Sequence, residues 1–132
     1  MQPQFPGKIL VIDDDQDIRD IYGEVLKDAG FELDFAADGE EAYKKISMGG
    51  YDVILLDIMM PKIDGISLLG KLKENPPSGY LGEIIIISQL NQPEVIKKAL
   101  DLGAKGYIVK SSVTPDQVVA RISEILKNTE KH

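Results

Sequence analysis

A doubly wound α/β sandwich is the fold class this sequence predicts, and three observations predict it. Five short aliphatic runs recur along the chain. Each is followed by a segment of helical period. The runs Val53-Ile54-Leu55-Leu56 and Ile84-Ile85-Ile86-Ile87 do not alternate with polar residues. Strands covered on both faces have that pattern, and strict strand–helix alternation implies a parallel sheet with helices on either side.

The elements follow in order. The first strand is predicted at Lys8–Ile12, rich in β-branched residues. Ile18, Ile21, Tyr22, Val25 and Ala29 then keep helical spacing and predict the apolar face of the first helix. The second strand is read at Glu32–Ala36, and a shorter helix follows around Ala42, Tyr43 and Ile46, ended by Gly49-Gly50. The third strand is Val53–Leu56, followed by a helix carrying Ile66, Leu69 and Leu72. The stretch 75–82, with two prolines and two glycines, reads as a surface connector. The fourth strand is placed at 84–87, and its helix carries Val95, Ile96, Ala99 and Leu100, with Gly103 as its C-terminal stop. The fifth strand is Gly106–Val109. The last helix opens at Thr114-Pro115-Asp116-Gln117, a capping box with proline at the first helical position, and its apolar face is Val118, Ile122, Ile125 and Leu126.

Bulk properties exclude several functions. The 132 residues fit one domain, and 43% hydrophobic content supports a core. A net charge of -7 argues against direct nucleic-acid binding, because phosphate contacts need a basic surface. With no cysteine there is no disulfide, no thiolate metal site and no cysteine nucleophile. The single histidine is His132, at the chain terminus, which disfavours a histidine triad or metal site. No apolar run reaches the ~20 residues that span a bilayer, so no membrane insertion is expected. Met1 to Gly7 shows no signal-peptide pattern.

In an open parallel sheet, ligands bind beyond the carboxyl ends of the strands. Asp13 and Asp14 follow the first strand, Asp57 the third, Ser88 the fourth and Lys110 the fifth. Each alone has an ordinary explanation: a helix cap, a turn or a solvated lysine. All five at one end of one sheet call for a shared one. Carboxylates about 4 Å apart repel by about 4 kcal/mol at an effective dielectric near 20, so crowding Asp13, Asp14 and Asp57 calls for a cation. Oxygen donors without a soft ligand suit Mg²⁺. Beside such a cation a carboxylate can act as a nucleophile toward phosphorus, with a lysine and a hydroxyl stabilising the charge of the transferred group. Asp15 is left to cap the first helix.

These residues resemble the receiver domain of bacterial two-component response regulators. The resemblance rests on Ile-Asp-Asp at 12–14, Leu-Leu-Asp-Ile-Met-Met-Pro-Lys-Ile-Asp-Gly at 55–65, Ser88 after an isoleucine run, and Gly-Ala-Lys-Gly-Tyr-Ile-Val-Lys at 103–110. It implies a flavodoxin-like (βα)5 sandwich with strand order 2-1-3-4-5. The domain would occupy 8–127, between short tails at 1–7 and 128–132. It implies Asp57 as phosphoacceptor, with Lys110 and Ser88 holding phosphoryl oxygens. Asp14 would ligate Mg²⁺ directly and Asp13 through water, with Asp57 and the Met59 carbonyl completing the protein ligands; Mn²⁺ can substitute. Ser88 and Tyr107 would form the switch. Pro61 and Gly65 would shape the loop after Asp57. The implied partners are a sensor histidine kinase or histidine phosphotransfer protein, and downstream a protein target or a second copy. The implied location is cytoplasmic. Such a domain catalyses its own phosphorylation and dephosphorylation and is not a conventional enzyme. Stand-alone regulator, relay intermediate and piece of a longer protein all stay open.

The sequence departs from the family at two places. Ser111 stands where proline usually follows the lysine, so the preceding bond is either trans or held cis at ~3–4 kcal/mol. Gln89 stands where a small residue is common. Leu90 and Met59 are placed to restrict water, which predicts slow hydrolysis of an aspartyl phosphate. Three rival readings are weaker. Asp13, Asp15, Asp17 and Glu24 match calcium-loop positions 1, 3, 5 and 12, but position 6 is Ile18 instead of glycine. An Asp-x-Asp phosphatase loop, Asp13 and Asp15, leaves Asp57, Ser88 and Lys110 without a role. A receiver-shaped module that is never phosphorylated has no need of the full set.

Overall fold

A computed structural model of the chain describes residues 7–60, 62–77 and 82–130. Its order is β1 (Lys8–Ile12), α1 (Gln16–Asp28), β2 (Glu32–Ala36), α2 (Gly39–Met48), β3 (Val53–Leu56), α3 (Gly65–Glu74), β4 (Glu83–Ser88), α4 (Pro93–Asp101), β5 (Gly106–Val109), a 3₁₀ turn (Lys110–Ser112) and α5 (Pro115–Glu130). The five strands form one parallel sheet in the order β2-β1-β3-β4-β5. Four strands lie where the sequence places them, and β4 is one residue longer at each end.

Successive side chains of a strand point to opposite faces, so the sheet feeds two cores. Leu10, Ile12, Ile54, Leu56, Ile84 and Ile86 pack with Ala42 and Ile46 of α2, Leu68, Leu69 and Leu72 of α3 and Ala99 of α4. Ile9, Val11, Val53, Leu55, Ile85 and Ile87 pack with Tyr22 and Leu26 of α1 and Val118, Ile122 and Leu126 of α5. Every β3 side chain is fully buried. At roughly 1.5–3 kcal/mol per buried aliphatic side chain, this double cover is the main force holding the sheet.

Carboxylates start the helices. Asp15, Asp38 and Asp64 cap α1, α2 and α3 by accepting from the amides of Asp17, Glu41 and Ser67. Thr114 and Gln117 form the reciprocal pair expected at α5, at 3.3 and 2.8 Å. Gly103, at φ 112°, follows the end of α4 in the left-handed conformation that an αL stop requires.

Two expectations are corrected. The buried face of α1 is rotated: Tyr22, Gly23 and Leu26 face the sheet while Ile21 is exposed. A glycine at 23 lets Phe35 approach, since a Cβ there would lie 3.0 Å from its ring, and this draws the helix onto that side. On α4 only Ala99 is fully buried, and Leu100 faces outward. The last helix, α5, runs to Glu130. The connector 75–82 is described only at its ends. Gly82 is at φ 92°, and a Cβ there would lie 2.5 Å from the Tyr51 carbonyl oxygen, so this end needs glycine. Pro61, Met1 and His132 lie outside the described residues. Among the described residues no helix is long and apolar enough to cross a membrane.

Candidate functional site

The strand ends converge as the topology dictates. Asp13 leaves β1 with its amide bonded to the Ala36 carbonyl, and Asp57 leaves β3 with its amide bonded to the Ile12 carbonyl. These ladder bonds fix both carboxylates at the same edge of the sheet. Among the described residues the buried polar or charged ones are Asp13, Asp57 and Ser88, all at this edge. Asp14 is exposed at the rim. One carboxylate oxygen from each of Asp13, Asp14 and Asp57 lies within 4.8 Å of the others.

Lys110 crosses the gap. Its ammonium donates to Asp13 at 2.9 Å and to Asp57 at 3.3 Å, with the lysine side chain only 10% exposed. Lys110 opens the 3₁₀ turn after β5, and no peptide bond among the described residues is cis, so the Lys110–Ser111 bond is trans. The lysine reaches both carboxylates without the family's proline.

Burial pushes the Asp57 carboxyl above its ordinary value; Lys110 opposes this and Asp13 adds to it. Burial works against the Lys110 charge, but its bonds to Asp13 and the Asp57 charge outweigh that and hold its pKa above the ordinary lysine value. The Tyr22 hydroxyl is raised by burial, with Lys110, Asp13 and Asp57 all within electrostatic reach. One lysine against three carboxylates leaves the site net negative.

The backbone sets the fine geometry. Asp13 Oδ1 accepts from the Asp15 amide at 3.0 Å, and Asp57 Oδ1 accepts from the Met59 amide at 3.3 Å. Gly65 folds over the end of β3: a Cβ there would lie 2.5 Å from the Asp57 carbonyl oxygen. Lys62, at φ 70°, ties this loop to the start of α2 through ion pairs with Asp38 and Glu40 at 3.7 and 3.6 Å. Gly39 makes that approach possible, since a Cβ there would lie 2.3 Å from the Ile63 carbonyl oxygen. The sequence reading missed Lys62 and Arg19, whose guanidinium donates to the Asp13 carbonyl.

On the β4–β5 side, Ser88 Oγ accepts from the Leu90 amide at 3.3 Å. The half-buried Tyr107 hydroxyl donates to the Leu90 carbonyl at 2.7 Å. Burial raises the Tyr107 pKa, the Ser88 side chain lowers it and the Asp57 charge raises it. Met59 and Gln89 are exposed, and Leu90 packs against the α2–α4 core. The rival carboxylates stand apart: Asp15 caps α1, and Asp17 and Glu24 lie within that helix, so no calcium loop is formed.

The family model for the response regulator receiver domain matches residues 9–123. Chemotaxis protein CheY of Treponema pallidum is 40% identical over 126 residues, covering 92% of this chain and 84% of that protein. The gliding motility regulatory protein of Myxococcus xanthus is 37% identical over 118 residues, which is 89% of this chain but 15% of that protein. The crystal structure of a CheY-like response regulator receiver domain protein from Methanospirillum hungatei superposes with a TM-score of 0.85 at 31% identity, covering 96% of this chain and 98% of that one. The chain therefore spans most of one curated relative and a small part of another. With the strand order, the acidic edge and the bridging lysine in agreement, the chain belongs to the response regulator receiver domain family of two-component systems.

Proposed function

We propose that the domain accepts a phosphoryl group on Asp57 from the phosphohistidine of a sensor kinase or histidine phosphotransfer protein. The observation that carries this is the Lys110 ammonium within 3.3 Å of both Asp13 and Asp57, at an edge that also holds Asp14 and Ser88.

The donor set fits Mg²⁺. All candidate ligands are hard oxygens, and ligand distances near 2.1 Å place donor oxygens about 3–4 Å apart, so carboxylates within 4.8 Å need only a small contraction. Asp14 and Asp57 would ligate directly, Asp13 through water, and the Met59 carbonyl would complete the protein ligands; Mn²⁺ would serve in place of Mg²⁺. When bound, the cation supplies charge neutralisation at the carboxylates and at the entering phosphoryl oxygens.

The chain's own residues do the rest. An Asp57 carboxylate oxygen attacks phosphorus; an O–P bond forms, the N–P bond of phosphohistidine breaks with its electron pair going to that nitrogen, and the imidazole, already protonated on its other nitrogen, leaves neutral. Lys110 holds one phosphoryl oxygen and the Ser88 hydroxyl another. Ser88 and Tyr107 both bond the backbone of Leu90, so drawing Ser88 toward phosphorus would reset Tyr107 and the surface around α4, β5 and α5. That surface would bind a downstream protein or a second copy. The domain would thus catalyse its own phosphorylation and dephosphorylation, in the cytoplasm, without direct contact to nucleic acid.

The test is transfer from a phosphorylated histidine phosphotransfer domain carrying labelled phosphate. The reading expects label on this chain as a hydroxylamine-sensitive acyl phosphate, lost in Asp57→Asn. Label stable to hydroxylamine, or retained in the variant, would sink it.

A further inference from the structure

We propose that Arg19 is a positioning residue for the acidic site, fixing the Asp13–Asp14 turn so that its oxygens are preset for the cation. This rests on the Mg²⁺ reading above. Asp13 is held at three points. Its two carboxylate oxygens take the Lys110 ammonium and the Asp15 amide. Its carbonyl oxygen takes Nη1 of Arg19. The first two fix the side chain, and the third fixes the peptide that joins Asp13 to Asp14. Asp14, exposed at the rim, depends on that peptide for its aim.

The arginine is itself braced. Nη2 donates to Gln16 Oε1 at 2.8 Å, and Gln16 Nε2 donates to Asp20 Oδ1 at 2.8 Å. Gln16, Arg19 and Asp20 thus form a relay on the first turns of α1. A cation in the first turns of a helix gains nothing from the helix dipole, which favours anions there. The placement of Arg19 is accounted for by what it touches. A charge-assisted bond to a strand-end carbonyl is the kind of outer contact that orients metal ligands, and losing such a contact costs on the order of tenfold in metal affinity.

Charge alone predicts the opposite sign. Removing a cation beside a Mg²⁺ site lowers the repulsion of the metal and should tighten binding. Removing a positioning contact should loosen it. The experiment is Mg²⁺ titration of the full chain followed by tyrosine fluorescence, for wild type, Arg19→Met, Arg19→Lys and the control Lys27→Met on the exposed side of α1. Unfolding in EDTA is recorded for each. The expected result is a Mg²⁺ dissociation constant raised about tenfold in Arg19→Met, raised less in Arg19→Lys, which keeps the charge but not the fork, and unchanged in Lys27→Met. Melting in EDTA should move little, because the relay is at the surface. Unchanged or tighter Mg²⁺ binding in a folded Arg19→Met overturns the inference while leaving the metal site intact. If Arg19→Met does not fold, Arg19→Lys decides by the same criterion. A wild type without any Mg²⁺ response overturns the inference together with the metal site.

Discussion

Replacing Asp57 by asparagine should make the metal-free protein more stable, because the site is built at the expense of the fold. At the 4.8 Å limit of their separation and an effective dielectric near 20, the one buried pair, Asp13 and Asp57, repels by about 3.5 kcal/mol; the exposed Asp14, better screened, adds about 1 kcal/mol. Lys110, 3.3 Å from Asp57, returns about 5 kcal/mol on the same scale. These Coulomb terms cancel to within about 1 kcal/mol, so burial decides the sign, as it does for the raised Asp57 carboxyl. Taking a carboxylate from water costs several kcal/mol before relaxation, which leaves a net gain on the order of 1–3 kcal/mol for the neutral amide. For a domain of 132 residues that is a rise in Tm of roughly 3–10 °C. The pH dependence carries the sign. A carboxyl whose folded pKa lies above its unfolded value destabilises the protein once pH exceeds the unfolded value, fully so above the folded one. The advantage of Asp57→Asn should therefore grow as pH rises through the raised folded pKa and vanish as pH falls below the ordinary carboxylate range. The assay is thermal unfolding in EDTA from pH 4 to 8. An Asp57→Asn protein no more stable than wild type at pH 7, or a difference independent of pH, would refute the reasoning.

Other perturbations have defined outcomes. Lys110→Ala leaves two buried carboxylates without their cation and should cost about 3–5 kcal/mol in urea unfolding at pH 7. Because the lysine's folded pKa is raised, its contribution is complete below about pH 10.5 and fades only as pH rises through the folded value. Gly65→Ala forces a Cβ to 2.5 Å from the Asp57 carbonyl and should destabilise by about 1–3 kcal/mol or more, with weakened Mg²⁺ binding as the loop shifts; an unchanged urea midpoint would contradict it. The Met59 amide bonds Asp57 and the Leu90 amide bonds Ser88; if their side chains restrict water as the sequence suggests, the acyl phosphate should outlast a minute and Met59→Ala with Leu90→Ala should shorten it severalfold, and a wild-type lifetime of seconds would count against a water-restricting role.

The sheet was legible because its strands are short, rich in β-branched residues and bounded by turn residues, which separates such apolar runs from a buried helix. Val53–Leu56 and the isoleucine run of β4 are apolar without alternation, and four strands match residue for residue. The site was legible because parallel strands deliver their ends to one edge, so the residue after each strand could be read directly. Other features depend on contacts that a linear pattern does not carry. Periodicity placed Ile21 of α1 inside, but Gly23 and Phe35 set the rotation of that helix and Ile21 faces out. The left-handed backbone at Lys62 has no local cue, since lysine is not a residue that favours it; it follows from the ion pairs to α2 and the backbone contact at Gly39. The Arg19 bond to the Asp13 carbonyl joins a helix to a strand end six residues back, and nothing in a hydrophobic pattern marks it.

The central claim is that this acidic edge is a working phosphoacceptor site. Its most direct test is the intact mass of the chain after incubation with acetyl phosphate. The account predicts a single phosphoryl adduct that requires Mg²⁺, disappears with EDTA and is absent from Asp57→Asn. An adduct that persists in Asp57→Asn, or that forms equally without the metal, would contradict it.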